Sequence, residues 1–231
     1  MASFRLPGFS VRTHGFPFPN GFPCGTPVIV VPTPFGRLAV GDASFGLCGG
    51  MVFAALDFYY HGLAGRPDVC GPRLTRYFSR RLLDSWNFPF GILKYYDWQR
   101  RPGGTVHHAG VRLMDGLTRL TIVNEWPRIR TELHAGRPAP LGVVKARGLS
   151  PWKLPQHHQV LCYGYDLDEE TRELALAVYD PNYPGDDTAL SIRLHDSDAE
   201  QPLRHSCEGP TVRGVFLAEY RRPAALPAGL A

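Results

Sequence analysis

The chain reads as an α+β fold, with helices first and an antiparallel β-sheet after them. Three observations predict it. Residues 48–60 are apolar almost all round, as in a buried helix. Residues 74–83 and 126–135 repeat their apolar positions at helical spacing. Beyond residue 140 the apolar runs shorten to strand length and turn residues separate them.

In chain order, residues 1–40 hold Pro7, Pro17, Pro19, Pro23, Pro27, Pro32 and Pro34. Proline lacks an N–H and excludes a helix or central strand, so an extended arm is expected, with one short strand at Val28–Val31. Its residues Phe4, Phe9, Phe16, Phe18 and Phe22 predict that it wraps over the domain. A helix spans Cys48–Tyr60, stopped by Gly62, and Leu74–Leu83 forms a second. Asp115–Val123 is a third, and Trp126–Ala135 a fourth, with Pro127 in its first turn and Gly136 after its end. Pro140–Val144 is a strand. Gln159–Tyr165 and Leu174–Tyr179 form a hairpin around the charged turn Asp166–Thr171, and Leu190–Leu194 and Val212–Tyr220 are later strands. The expected organisation is an arm (1–40), one domain (41–225) and a short tail (226–231).

Composition narrows the function classes. With 231 residues the chain can bury one substantial core. Its net charge of +4 is spread out, and Arg76, Arg80 and Arg81 mark a solvated helix face, so no nucleic-acid partner is expected. No apolar run approaches the ~18 residues of a membrane span, and Met1–Ser10 has no apolar signal core. The expectation is a soluble protein, cytoplasmic or exported without a cleavable signal peptide. Cys24, Cys48, Cys70, Cys162 and Cys207 are odd in number and contain no C-x-x-C pair, against a disulfide framework or zinc site. His107 and His108 lack further ligands at metal spacing. Neither metal nor cofactor is expected, and the partner is a peptide or protein substrate.

Cys48 lies in Asp42-Ala-Ser-Phe-Gly-Leu-Cys-Gly-Gly-Met51, at the start of the buried helix. A helix N-terminus favours the thiolate through free N–H groups and the macrodipole. Gly46, Gly49 and Gly50 clear side chains from around the sulfur. A thiolate nucleophile needs a base, and the base an orienter. His158 and Asp180 stand about equally far from the turn between the two hairpin strands, so an unbroken ladder faces them across the pair. A one-residue slip brings His157 to that face instead.

These segments resemble bacterial papain-like cysteine peptidases, the C39-like group above all. Gly46-Leu-Cys-Gly-Gly-Met51 opens a helix, His158-Gln-Val-Leu-x-Tyr-Gly164 lies on a strand, and Tyr179-Asp-Pro-Asn182 ends the next. The resemblance covers residues 40–220. It implies a papain-like fold and a hydrolase with Cys48 as nucleophile, His158 as base and Asp180 as orienter. The family carries a glutamine about six residues before the cysteine as oxyanion donor; here that position is Asp42, whose carboxylate repels an oxyanion. The backbone N–H groups of Cys48 and Gly49, and the side chains of Ser44, Gln156 and His157, are the candidate donors. The same residues serve acyl transfer or deamidation, and an inactive binding module is a further alternative.

Overall fold

The computed structural model describes residues 1–23, 29–33, 36–40, 46–63 and 67–230. It opens with β1 (Ala2–Arg5) and the short α1 (Val11–His14), followed by the hairpin β2 (Ile29–Thr33) and β3 (Gly36–Val40). Three helices follow: α2 (Cys48–Tyr60), α3 (Pro72–Ser85) and α4 (Phe90–Arg100). A second hairpin, β4 (Val106–His108) and β5 (Val111–Met114), precedes α5 (Leu117–Arg119). That helix runs through a π-helical segment, Leu120–Glu125, into α6 (Trp126–His134), so the expected third and fourth helices are one continuous stretch. The remainder is β6 (Ala139–Val144), a 3₁₀ segment (Pro151–Gln156), β7 (His158–Leu167), β8 (Glu173–Tyr179), β9 (Thr188–Arg193), β10 (Leu203–His205), β11 (Gly209–Val212) and β12 (Gly214–Leu217).

This is the α+β order expected, helices and then an antiparallel sheet. The main sheet runs β11-β10-β9-β8-β7-β6-β12, with β1 paired to the far half of β7. The strand expected over Val212–Tyr220 divides at Arg213 into β11 and β12. Those two lie at opposite edges of the sheet with one residue between them, so the sheet must curl until its edges meet. The curl has a core of its own. Val212 and Val215, from the two edges, share a buried cluster with Leu141, Val160, Val178, Leu190 and Leu203, and α6 adds Ile129 and Leu133.

The outer face carries the helices. Leu161, Tyr163 and Tyr179 alternate with the inner residues and pack on Met51, Phe53 and Phe58 of α2 and on Phe78 of α3. The first residues of the chain join this core: Phe9 and Phe16 are buried in it, as are Tyr77 and Leu230. Asp57, wholly buried on α2, accepts hydrogen bonds from Tyr77, Tyr220 and both Nε and Nη2 of Arg81, at 2.7–3.0 Å. The chain near its C-terminus is thereby tied to the underside of α2.

Helix α2 has no polar face. Its two glycines let α3 come close: a Cβ on Gly50 would collide with the Phe78 carbonyl oxygen, and one on Gly49 with Ser85 Oγ. Clearing space for a substrate was the expected use of these glycines. Their described neighbours belong to α3 and β7, and the requirement is helix packing.

The β7–β8 register differs from the even count. Leu161 pairs with Tyr179 and Cys162 with Val178, but Gly164 pairs with Ala177, so Tyr163 is the extra residue of a β-bulge. His158 therefore does not face Asp180 in the ladder; Asp180 falls one step past the Leu161–Tyr179 pair, opposite Val160. The strands also turn later than the even count assumes, with Leu167 opposite Leu174, and this late turn together with the bulge leaves a displacement of two residues near the strand ends. Because two is the side-chain period, His158 and Asp180 keep the same face.

Candidate active site

Cys48 is the first residue of α2, after Leu47 as N-cap, and the residue is half-buried. The loop before it is held from a distance. Gly46 sits at φ 94°, in the left-handed region, with the Asn20 side chain against its Cα. Asn20 Oδ1 accepts from Leu47 N–H at 2.6 Å, its Nδ2 donates to Asn182 Oδ1 at 3.1 Å, and its N–H donates to the Pro181 carbonyl at 2.9 Å. One residue of the N-terminal arm thus links the turn before Cys48 to the turn after Asp180.

His158 begins β7 and is buried. Its Nε2 lies 2.7 Å from Asp180 Oδ1, which leaves Nδ1 for the Cys48 thiol, its other hydrogen-bond partner. Burial lowers the imidazole's pKa. The charges of Cys48 and Asp180 and their hydrogen bonds outweigh it and push the group up to about 10. Burial likewise raises the thiol, but His158 and the Gln159 backbone N–H bring it below its ordinary value. Asp180 is fully buried; burial opposes its charge, and His158, His205 and the Asn182 N–H hold it well below the usual carboxylate range. The favoured state is a thiolate–imidazolium pair beside a carboxylate. That state can attack an acyl carbon and protonate a leaving amine.

Comparison with protein-family models, with curated proteins and with solved structures finds no match. The reading of the site therefore rests on its own residues.

The other sequence candidates fall in different places. Asp42 and Ser44 lie outside the described residues. Gln156 is exposed, in the 3₁₀ segment before His157. His157 is turned to α4, stacked on Tyr95 with ring centroids 5.1 Å apart. Its Nδ1 accepts from Lys145 N–H at 3.3 Å and its Nε2 lies 3.1 Å from Gln99 Oε1. Burial first, then the charge of Arg213, lowers its pKa to about 4. Gly49 is buried in the first turn of α2, where its N–H has no intrahelical acceptor. Trp98 and Trp126 are buried; Trp152, in the segment leading to His158, is exposed.

Four neighbours escaped the sequence reading. Asn20 is one and His205 another. Tyr95 is buried and donates to the His158 carbonyl at 3.0 Å. Gln159 is buried against Gly49, its Nε2 donating to Ser85 Oγ at 3.2 Å while its Oε1 is buried with no hydrogen-bond partner among the described residues. Only Gln159 left a signal, as a polar residue inside an apolar strand run.

Proposed function

We propose that this chain is a papain-like cysteine hydrolase that cleaves a peptide or amide bond through Cys48, His158 and Asp180. The observation that carries the reading is the continuous contact from a helix-start thiol through His158 to a buried carboxylate. The Cys48 thiolate adds to the substrate carbonyl, and the oxyanion takes hydrogen bonds from N–H groups at the start of α2. The tetrahedral intermediate collapses, the C–N bond breaks, and His158 gives its proton to the departing amine. A thioester remains on Cys48. Neutral His158 then takes a proton from water, whose oxygen attacks the thioester; the acid leaves and the thiolate returns. With an amine in place of water the same steps transfer the acyl group.

Alkylation of the intact protein by iodoacetamide tests the reading without a known substrate. At pH 6 an ordinary thiol is less than ~1% ionised, so Cys48 should react about tenfold or more faster than exposed Cys207. His158→Ala should abolish the preference. Equal rates at the two cysteines in the unaltered protein would refute the reading. A peptide library with and without added amine then separates hydrolysis from transfer.

A further inference from the structure

Asp180 is shared by two histidines. Its Oδ1 serves His158 at 2.7 Å and the Asn182 N–H at 2.8 Å. Its Oδ2 lies 3.1 Å from Nε2 of His205, the last residue of β10. His205 is buried, two strands from Asp180 in the sheet order, and the curl brings their side chains together.

The geometry fixes which atom of His205 meets the acid. Nδ1 accepts from the Cys207 N–H at 3.1 Å, so the proton of the neutral ring sits on Nε2 and points at Oδ2. Tyr183, from the turn after Asp180, packs its ring on His205 with centroids 5.4 Å apart. Among the described residues the other charged groups nearby are Glu208 and Lys145, which pair with each other, and Glu208 also accepts from Thr211. Turning the His205 ring over would break both its hydrogen bonds.

We propose that His205 is a positioning residue of this site: it holds the second oxygen of Asp180 and so keeps the acid ionised and aimed at His158. The inference rests on the reading of Cys48 as a thiolate nucleophile. Without a donor, Oδ2 becomes a buried unpartnered carboxylate oxygen, and taking up a proton there relieves it. A neutral Asp180 no longer supports the imidazolium, and the thiol takes its proton back. His205 touches neither substrate nor sulfur; its effect passes through Asp180.

The test is the pH profile of Cys48 alkylation in the whole protein, with unfolding followed in parallel. His205→Phe keeps a ring and removes the donor; His205→Gln keeps an N–H at nearly the same reach. In His205→Phe the acid limb should move up by about one pH unit, with a tenfold loss of rate at pH 6. His205→Gln should keep the unaltered protein's limb. An unshifted limb in folded His205→Phe overturns the inference alone. Should His205→Phe not fold, His205→Gln still decides, because a full-unit shift in that variant overturns it too. Absence of selective Cys48 alkylation in the unaltered protein removes the nucleophile reading, and this inference with it.

Discussion

His158 Nε2 and Asp180 Oδ1 meet at 2.7 Å although the two residues are not partners in the β7–β8 ladder. The hairpin turns later than an even count from His158 and Asp180 assumes, an odd shift, and the one-residue bulge at Tyr163 makes the displacement at this end even, so side-chain direction survives where pairing does not. Asp180→Asn keeps the shape and removes the charge. Alkylation of Cys48 at pH 6 should then fall about tenfold, as one pKa unit lost by the ion pair implies, and recover at pH 9. Iodoacetamide rates across that range check it.

The Asn20 side chain joins the turns on either side of the site, and its backbone N–H adds a bond to the Pro181 carbonyl. Asn20→Ala removes the acceptor for Leu47 N–H and the donor to Asn182. A stability loss of about 1–2 kcal/mol is expected. Cys48 alkylation should slow with it, because the loop before the thiol loses its anchor. Asn20→Asp keeps the acceptor and should lie between the two. Urea titration and alkylation on the same samples give both numbers.

Gly50 permits the closest approach of α2 to α3. In Gly50→Ala the new methyl meets the Phe78 carbonyl, a backbone group that moves only if the helix moves. A loss of about 2 kcal/mol or more is expected from such overpacking. A methyl added at Gly21 would meet nothing within 4 Å among the described residues, and Gly21→Ala should stay within about 0.5 kcal/mol. Paired urea midpoints separate crowding from a general intolerance of substitution.

His157 sets a pH dependence of opposite origin to that of His158. Its folded pKa, lowered to about 4, lies below the ordinary 6.5. Between those values the unfolded chain binds the proton and the folded one does not, so stability drops as pH falls through that window. The contribution is about 2 kcal/mol once the ring's partial exposure is allowed for. The difference in unfolding free energy between the unaltered protein and His157→Gln should be constant above pH 7, and from pH 6.5 to 4 the unaltered protein should lose about 2 kcal/mol relative to the variant.

Much of this site was legible locally. The helix at Cys48 declared itself by an apolar run, flanking glycines and a stop at Gly62, and the strands carrying His158 and Asp180 by length and turn chemistry. What stayed hidden acts over long separations. Tyr163 looks like any strand residue, and only the alignment of two strands makes it a bulge. Asn20 reads as a turn residue in a proline-rich arm, and His205 as the end of a short strand. The first gains its role from a loop 27 residues on, the second from the curl of a sheet. The sequence shows no helix α4 because Gly91 and neighbouring Pro89 look like breakers, yet its residues Tyr95 and Gln99 support His158, the first residue of β7, and His157 just before it.

The Asp57 cluster bears on how the protein is made. The helix that begins with Cys48 packs its later turns on Phe9 and Phe16 and also on Tyr220, and its thiol finds His158 more than a hundred residues away. During synthesis from the N-terminus the contacts with Tyr220 and His158 close late, since loops of that span form only after their far ends emerge. A nascent chain halted before residue 158 therefore carries an ordinary cysteine. On the proposed reading, the chemistry of position 48 waits until residues 158 and 180 have both been made.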